Sequence, residues 1–483
     1  MSLKKTKIVA TISDKNCSPD FLHHLYLSGM NVVRINTAHQ KPDSAMKIIQ
    51  NVRQASNKIA ILIDTKGPEI RLTDMESDTG FAVKEGDVLR LSGNPEKLSG
   101  PDHLYVNFAG FVADLHVGAT ILIDDGNLAL KVTKKNDDHL ECTVKEPGVL
   151  MGRKSVNVPH TRINLPALSD RDRVFINWAI DNELDFIAHS FVRCKEDVME
   201  IQKILDARHS HLKIIAKIEN QEGVNNIDEI LNHVYGIMVA RGDLGVEIAA
   251  EKIPVIQRQL IAKCQLRKKP VIIATQMLHS MIEHTRPTRA EVSDVANAIY
   301  QRADAVMLSG ETAYGQHAVE AVKVMSKIAY EIEQHLHPLL DIHLSHVTAP
   351  VAYTLAHMLV DATNNLPIKA LICDTMSGRT ARYLSAYRPS VPIFAKCYEQ
   401  HIMRELSLSY GVHCSMMEKR KSNDDLVKEA VKTLIESHDV TLDDMVGIIA
   451  GRFNTDRSAS FAEINDARHL LMNSDAVNSE QCH

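Results

Sequence analysis

The chain has 483 residues, of which 45% are hydrophobic and 24% charged, with a formal net charge of -6. This length favours two to four domains, and the ordinary composition excludes a disordered or fibrous protein. The acidic balance argues against a nucleic-acid partner, because general nucleic-acid binders carry a basic excess. Eight scattered cysteines, no signal-type N-terminus and no membrane-length apolar run predict a cytoplasmic protein with free thiols and no membrane partner.

Short β-branched runs alternate with helix-length segments along most of the chain, which is typical of βαβ units and a parallel sheet. Eight such units close a barrel, so we predict an α/β fold built on a (β/α)8 TIM barrel. The predicted barrel strands are residues 7–12, 31–36, 59–65, 186–192, 213–219, 236–243, 270–276 and 305–311.

Two further segments interrupt or follow this pattern. Glycine-containing turns and alternating apolar residues predict a small inserted β-barrel domain over residues 72–164, after the third strand. The barrel then occupies residues 1–71 and 165–343. A separate three-layer α/β domain is predicted over residues 344–475, with strands near 368–374, 392–397 and 445–451.

Polar or charged residues follow nearly every predicted barrel strand. The active sites of such barrels lie at the C-terminal strand ends, and a purely structural barrel does not need ionisable groups crowded there. We therefore predict a single site formed from Thr11, Arg34, Asn36, Asp64, Thr65, Ser190, Arg193, Lys217, Glu219, Arg241, Asp243, Thr275, Ser309 and Glu311.

Lys217 and Glu219 lie two residues apart on one predicted strand, so their side chains share a face. A lysine within an apolar strand must be paired or functional, because desolvating an unpaired charge is costly. One interpretation is a structural ion pair between these two residues, and Asp243 could equally cap a helix. Two carboxylates on adjacent strand ends also suit a hard divalent cation, so we expect Glu219 and Asp243 to hold Mg²⁺ or Mn²⁺.

The surroundings of this pair suit an anionic substrate. Gly242 and Gly245 allow close approach of a ligand, and N–H groups at a following helix start favour a carboxylate or phosphate. Arg34, Arg71 and Lys217 supply positive charge where a transferring phosphoryl group would need it. The residues therefore predict metal-dependent phosphoryl transfer without a Walker A or GxGxxG motif.

Eight stretches, in the family's order, resemble motifs of the pyruvate kinase family. They cover the whole predicted barrel, and the inserted and C-terminal domains fall where that family has them. The stretches are Thr6-Lys-Ile-Val-Ala-Thr11, Gly29-Met-Asn-Val-Val-Arg-Ile-Asn36, Asp64-Thr-Lys-Gly-Pro-Glu-Ile-Arg71, Lys217-Ile-Glu-Asn220, Met238-Val-Ala-Arg-Gly-Asp-Leu-Gly245, Ala274-Thr-Gln-Met-Leu278, Arg286-Pro-Thr-Arg-Ala-Glu291 and Leu308-Ser-Gly-Glu-Thr-Ala313.

The resemblance implies that phosphoenolpyruvate and ADP are converted to pyruvate and ATP, the final step of glycolysis. It implies that Lys217 stabilises the phosphoryl group in flight and that Thr275 lies near the carbon that gains a proton, with Ser309 and Glu311 acting through water as the other possible donors. The implied substrate-binding residues are Arg34, Lys217, Ala240, Arg241, Gly242, Asp243 and Thr275, and the implied nucleotide-binding residues are Asn36, His39, Arg71, Asp125 and Arg171.

A K⁺ site formed by Asn36, Asp64 and Thr65 is also implied, together with a second metal that is shared with the nucleotide. The family usually has a serine where this chain has Ala38, so one hydroxyl ligand is lost. Glu69 matches the residue type of potassium-dependent members. We therefore expect K⁺ activation to be retained, with water or an altered geometry replacing the hydroxyl.

In the C-terminal domain, one loop resembles the effector-phosphate loop of members that sugar phosphates regulate. Its hydroxyl and N–H groups suit an anion, and an ordinary strand-to-helix turn is the alternative. A homotetramer with a regulatory C-terminal domain is implied by the resemblance alone. The loop residues are Thr375, Ser377, Gly378, Arg379 and Thr380.

Two other functions stay open at this stage. A metal-dependent lyase acting on pyruvate or phosphoenolpyruvate would use a similar barrel without the inserted domain or the arginines. A non-catalytic barrel kept as a regulatory subunit would not need Lys217, Glu219, Asp243 and Thr275 together. ADP-dependent formation of pyruvate from phosphoenolpyruvate separates these alternatives.

Overall fold

The N-terminal β-branched runs form fully buried parallel strands. The computed structural model describes residues 3–38, 40–418, 422–451 and 459–472, so the predicted site residue His39 lies outside the described part. Ser18 begins the first helix by accepting a hydrogen bond from the N–H of Phe21 at 3.3 Å. The elements are β1 (Lys7–Thr11), α1 (Pro19–Leu27), β2 (Val32–Asn36), α2 (Pro42–Ala55) and β3 (Ala60–Asp64).

An inserted β domain follows β3. Its strands are β4 (Phe81–Val83), β5 (Val88–Gly93), β6 (His103–Val106), β7 (Thr120–Ile123), β8 (Leu128–Lys135), β9 (Leu140–Glu146), β10 (Gly148–Leu150) and β11 (Val156–Asn157), with the short helix α3 (Phe111–Asp114). Six of them pair in the order β11-β7-β8-β9-β5-β6, and β10 pairs with β4. Single bridges from Arg71 to Ser155 and from Leu72 to Val106 connect the two edges, which gives the small barrel that the sequence predicted.

The chain then completes the main barrel. Its remaining elements are α4 (Asp170–Asp181), β12 (Phe186–His189), α5 (Lys195–Ala207), β13 (Lys213–Ile218), α6 (Gln221–Asn225), α7 (Ile227–His233), β14 (Gly236–Ala240), α8 (Arg241–Glu247), α9 (Ile253–Leu266), β15 (Val271–Ala274), α10 (Arg289–Tyr300), β16 (Ala305–Leu308), α11 (Gly310–Ala313) and α12 (Ala318–Glu333). Eight parallel strands close in the order β1-β16-β15-β14-β13-β12-β3-β2, so the predicted TIM barrel is confirmed.

Seven of the eight barrel strands end one to three residues before the predicted position, and only β2 ends where predicted. The backbone that follows β14, β15 and β16 gives the reason at those three strands. β14 stops at Ala240 because α8 begins at the next residue, which places Asp243 in the first turn of a helix and not at a strand end. β15 stops at Ala274 because Thr275 and Gln276 have φ values of 72° and 54°, which no strand allows. β16 stops before the short helix α11, so Glu311 is also helical.

The C-terminal domain has helices on both faces of one sheet, as predicted. Its elements are α13 (Pro350–Asn365), β17 (Ile368–Thr375), α14 (Arg379–Ala386), β18 (Ile393–Cys397), α15 (Gln400–Glu405), β19 (Val412–Met416), α16 (Asn423–Glu436), β20 (Met445–Ala450), β21 (Phe461–Asp466) and α17 (Ala467–Met472). The order is β19-β18-β17-β20-β21. The two edge strands, β19 and β21, were not predicted, because polar residues at an exposed edge weaken the apolar signal of a strand. In the described part, no helix is both long and apolar enough to cross a membrane.

Asp185, just before β12, joins the barrel to the C-terminal domain. Its buried carboxylate accepts hydrogen bonds from Arg404 Nε at 2.6 Å, from Arg53 Nη2 at 3.2 Å and from the N–H of Ile61 at 2.7 Å. Because a buried charge is stable only when it is paired, removing this carboxylate leaves two arginines without their partner.

We expect Asp185→Ala to destabilise the protein by about 3–5 kcal/mol, the usual cost of breaking a buried ion pair. Asp181→Ala is the matched control, because Asp181 pairs with Arg208 at the surface and an exposed pair contributes only about 0–1 kcal/mol. Thermal unfolding followed by the fluorescence of the single tryptophan, Trp178, measures both. Equal midpoints for the two variants would contradict the proposed linkage.

Candidate active site

Strand alternation decides which side chains reach the mouth of the barrel. Val9, Val32, Leu62, Ala188 and Ile215 belong to one buried cluster of strand residues, separate from the cluster that packs against the helices. The residues two positions further along have the same orientation. The same inner side therefore carries, at the C-terminal ends, Thr11, Arg34, Asp64, Ser190 and Lys217.

Lys217 is the centre of a buried charged cluster. Its Nζ lies 2.8 Å from Glu219 Oε1 and 3.2 Å from Asp64 Oδ1, and it donates a hydrogen bond to Ser190 Oγ at 2.8 Å. Glu219 Oε2 accepts a hydrogen bond from the N–H of Phe191 at 2.7 Å. The Lys217–Glu219 ion pair that the sequence left open is therefore present in the structure.

Arg34 on β2 completes this cluster by pairing with Asp64 at the end of the adjacent strand, β3. Its guanidinium holds Asp64 Oδ2 through two nitrogens, with Nε at 2.7 Å, and donates to Thr11 Oγ1 at 3.1 Å. Asp64 is 1% exposed, and Arg34 and Lys217 are 9% exposed each. Two cations and two carboxylates thus balance each other away from water, which is the condition for burying them.

Burial and pairing shift the pKa values of these groups in opposite directions. Burial lowers the pKa of Lys217, but Asp64 and Glu219 outweigh that effect and raise it above the ordinary value, so the side chain stays protonated. Burial raises the pKa of Glu219, and the nearby Asp243 adds to the rise. Burial would raise the pKa of Asp64 too, yet Arg34 and Lys217 hold it below its usual range.

The predicted divalent site fits a cation by its chemistry. Glu219 Oε1 is buried and has no hydrogen-bond partner among the described residues beyond its ion-pair contact with Lys217. Asp243 supplies further carboxylate oxygens from the first turn of α8, on the adjacent strand unit. Oxygen donors of this kind suit a hard cation. Among the described residues no group of three or more His, Cys, Asp and Glu side chains is arranged to hold a metal, so substrate and water would have to complete the coordination.

The three residues predicted to bind K⁺ lie together, and their side-chain oxygens already take part in hydrogen bonds or ion pairs within the protein. Asn36 and Asp64 are register partners on β2 and β3. Asn36 Oδ1 accepts a hydrogen bond from the N–H of Ala38 at 3.1 Å, and Thr65 Oγ1 accepts one from the N–H of Ser190 at 3.0 Å. The donor set suits a monovalent cation, but these contacts must rearrange for the oxygens to turn toward one.

Thr275 and Arg241 form a second group beside the cluster. Thr275 Oγ1 accepts a hydrogen bond from the N–H of Gly242 at 2.8 Å and donates to Ala274 O at 2.6 Å. Arg241 holds the same turn through Thr275 O at 2.7 Å and pairs with Asp294 at 2.7 Å. A β-branched residue at φ 72° is rare, and strained conformations of this kind cluster at functional sites.

Glu311 braces the turn that carries Thr275. It is 1% exposed; Oε1 accepts a hydrogen bond from the N–H of Leu278 at 3.1 Å, and Oε2 accepts one from the N–H of Ser309 at 2.7 Å. Both oxygens are thus used on backbone groups of the segments that follow β15 and β16. Glu311 therefore positions the backbone that follows β15, and the adjacent Ser309 is held by the same carboxylate.

A cavity of about 520 Å³ lies between the barrel mouth and the inserted domain. Asp243 and Glu247 line it from the barrel, and Asp125 and Arg71 line it from the other side. Arg71 pairs with Glu69 at 2.7 Å, and Asp125 accepts a hydrogen bond from Ser155 Oγ at 2.7 Å. Burial raises the pKa of Glu247 to about 6.

Other predicted site residues lie apart from this cavity. Arg171 donates to the backbone oxygens of Thr37 and Gln40 at 2.6 and 2.8 Å, so it fixes the loop after β2 and does not line the cavity. In the C-terminal domain, Gly378 has a φ of 73° and directly precedes α14, which begins at Arg379. Thr375 at the end of β17 and Thr380 in the first turn of α14 are buried, and Ser377 lies just before Gly378.

Sequence reasoning gave no role to two residues that the structure makes important. Ser190 was predicted only as one of the strand-end residues. In the structure its hydroxyl accepts a hydrogen bond from Lys217 and donates one to the backbone oxygen of Thr65 at 2.7 Å. Asp294, the partner of Arg241, lies on α10, where no local pattern indicates it. Alternation along β12 could have found the first of these.

Comparison with known proteins gives consistent matches over the chain. The family model for the pyruvate kinase barrel domain matches residues 3–322, and the model for the pyruvate kinase alpha/beta domain matches residues 353–464. A pyruvate kinase of Borreliella burgdorferi is 45% identical over 478 residues, covering 98% of this chain and 99% of that protein. One from Geobacillus stearothermophilus is 44% identical, covering 93% and 78%. A crystal structure of a pyruvate kinase from Cryptosporidium parvum has a TM-score of 0.90 at 34% identity, covering 96% of each chain.

We expect Gly67→Ala to disturb the Lys217 cluster. Gly67 has a φ of 72°, and a Cβ there would lie 2.8 Å from the side chains of Ser190 and Phe191. Gly118→Ala is the matched control, because Gly118 has a φ of 91° and no neighbour within 4 Å. Both variants carry a left-handed penalty of about 1–2 kcal/mol, and crowding adds about 1–3 kcal/mol at Gly67 alone. Calorimetry of the two variants measures the difference; no excess at Gly67 would contradict the packing described.

Proposed function

The chain belongs to the pyruvate kinase family, and from that premise we propose how its strand-end cluster carries out the reaction. The protein is a phosphotransferase that moves the phosphoryl group of phosphoenolpyruvate to ADP, giving pyruvate and ATP, the final step of glycolysis. The observation that carries the proposed roles is the buried position of Lys217 between Glu219, Asp64 and Ser190.

Lys217 acts by exchanging partners. Without substrate its ammonium group is neutralised by two carboxylates. When the phosphate of phosphoenolpyruvate enters, the ammonium contacts phosphoryl oxygens, while Arg34 anchors the same phosphate from β2. A terminal oxygen of ADP then forms a bond to phosphorus as the bond to the enolate oxygen breaks. The fixed ammonium offsets the charge on the phosphoryl oxygens, and it is already oriented by its strand, so little reorganisation is needed.

The first turn of α8 and the turn at Thr275 position the rest of the substrate. The backbone of Ala240, Arg241, Gly242 and Asp243 binds the carboxylate, and the hydrogen bond from Gly242 to Thr275 Oγ1 sets the distance between the two segments. The enolate that remains after transfer takes a proton on carbon from the Thr275 hydroxyl or from a water that it holds. Glu311, with Ser309, is a positioning residue for that turn.

Members of the family generally use Mg²⁺ and K⁺. Glu219 and Asp243 would hold the divalent cation, Mg²⁺ or Mn²⁺, which would supply Lewis-acid stabilisation of charge on the phosphoryl oxygens. Asn36, Asp64 and Thr65 would hold K⁺. The nucleotide occupies the cavity lined by Arg71 and Asp125, and a second divalent ion would accompany it. The other proposed nucleotide contacts are Asn36, His39 and Arg171, of which His39 lies outside the described residues.

Three further properties belong to the proposal. The protein works in the cytoplasm, it assembles as a homotetramer, and a phosphorylated effector binds the loop formed by Thr375, Ser377, Gly378, Arg379 and Thr380. The left-handed Gly378 at the start of α14 supports the last of these, since such a turn directs N–H groups toward an anion.

We expect Lys217→Met to lower kcat by about 10²–10³ or more, because it removes a cation fixed at the transferring group. Binding of phosphoenolpyruvate should weaken far less. Lys213→Met is the matched control, because Lys213 lies at the other end of β13 and pairs with Glu405 at 3.2 Å. The assay follows pyruvate formation from phosphoenolpyruvate, ADP and Mg²⁺, with substrate binding measured by calorimetry. If wild type shows no ADP-dependent turnover, the main function fails; if Lys217→Met retains turnover, the role of Lys217 fails.

We expect K⁺ to activate the wild-type enzyme although Ala38 lacks a hydroxyl. Ala38→Ser restores that group beside Asn36 and should lower the K⁺ concentration needed for half-activation. Turnover is measured across KCl concentrations at constant ionic strength, with tetramethylammonium chloride as the balancing salt. Equal activity of the wild type with and without K⁺ would rule out the monovalent site.

A further inference from the structure

A second large cavity, of about 430 Å³, lies between the barrel and the C-terminal domain. We call it the lysine cavity and define it by Lys7, Asn31, Lys58, Lys396, Ser415 and Thr433, all of which line it. Its volume falls within the range of small-molecule sites and exceeds what one or two waters need.

Two of its lysines are buried without a carboxylate partner. Lys7 is 2% and Lys396 is 3% exposed. Lys7 Nζ donates to Val412 O at 2.5 Å, and Lys396 Nζ donates to Ser415 Oγ at 3.1 Å and Thr433 Oγ1 at 2.5 Å. No ion pair involves either ammonium within the part of the chain that the structure describes. These neutral oxygens satisfy hydrogen bonds but carry no opposite charge. Acidic groups beyond ion-pair distance act on both lysines, and they offset only part of the burial cost.

The other lining groups add to the positive excess. Lys58 is exposed at the rim, and Asp439 is the single acidic residue among the described lining residues. His413 also lines the cavity, and its Nε2 is buried with no hydrogen-bond partner among the described residues. Burial lowers the pKa of Lys7 to about 8 and also lowers the pKa of Lys396, because it outweighs the acidic groups that act on them.

This cavity is distinct from both sites already described. Lys7 begins β1 and Thr11 ends it, so the cavity lies about 13 Å along the strand from the Lys217 cluster. Lys396 contacts Thr433 on α16, whereas α14, which follows the loop at Gly378, packs on the opposite face of the sheet.

We propose that the lysine cavity binds a small phosphorylated metabolite, whose phosphate is neutralised by Lys7, Lys58 and Lys396. A phosphate dianion offsets more charge than a single carboxylate and accepts more hydrogen bonds, so it suits three ammonium groups and an unpaired imidazole. The remaining lining combines polar residues such as Asn31 and Ser437 with apolar ones such as Phe394 and Met403, so it accommodates a body with both hydroxyl and hydrocarbon groups.

Equilibrium dialysis with radiolabelled glycerol 3-phosphate tests the proposal at constant ionic strength. We expect saturable binding that weakens tenfold or more in Lys396→Gln and in Lys58→Gln. The second variant lies on the exposed rim, so it tests the site without disturbing the fold. Lys47→Gln, an exposed lysine on α2, is the matched control and should bind like wild type.

The place of binding is read from Cys414, which lines the same cavity. Glycerol 3-phosphate should slow alkylation of Cys414 by iodoacetamide at least fivefold, measured by peptide mass spectrometry, with Cys194 on the barrel as the reference thiol. Glycerol and malonate should protect far less. The proposal is overturned if wild type does not bind the phosphate ester, if Lys58→Gln and Lys396→Gln bind it as tightly as wild type, or if malonate protects Cys414 equally.

Discussion

The structure of the barrel mouth depends on one constraint, which is that two cations and two carboxylates are buried together and must neutralise each other. Arg34 and Lys217 meet Asp64 and Glu219 on three different strands, and each charge has a partner of opposite sign. Removing any one of them would leave the buried cluster with an unbalanced charge. A ligand that enters this cluster must therefore bring a balanced set of charges, and an anionic phosphate together with a cation is such a set.

The same constraint distinguishes residues that meet substrate from residues that hold the frame. Lys217 has partners that a ligand can replace, because its contacts are side-chain oxygens beside the mouth. Glu311 does not, because both of its carboxylate oxygens accept hydrogen bonds from backbone N–H groups, and losing them would cost a buried hydrogen bond. Residue type and spacing cannot separate the two kinds, since a carboxylate near a strand end looks the same in sequence whichever atoms it contacts.

The barrel could be predicted because its signal is local: each strand is a short β-branched run buried on both faces. Alternation then placed Lys217 and Glu219 on one face of their strand from sequence alone. The position of Asp243 could not be predicted as well, because the turn into α8 depends on packing and not on a local pattern. The edge strand β19 was missed because its Val-His-Cys-Ser-Met sequence is short and contains a single β-branched residue. Asp294 pairs with Arg241 across 53 residues, a separation that no spacing rule covers.

The two buried lysines Lys217 and Lys7 show that the pairing of a buried charge affects its pKa as much as burial does. Lys217 and Lys7 both lie on inner barrel strands and both are almost fully buried. Carboxylates raise the pKa of Lys217, whereas burial beside neutral oxygens lowers that of Lys7. The first lysine is stable as it stands and gains from substrate only by exchange of partners. The desolvation cost of the second is offset only in part, by Glu333 and Asp304, so an anion that binds there would stabilise a charge that remains costly to bury.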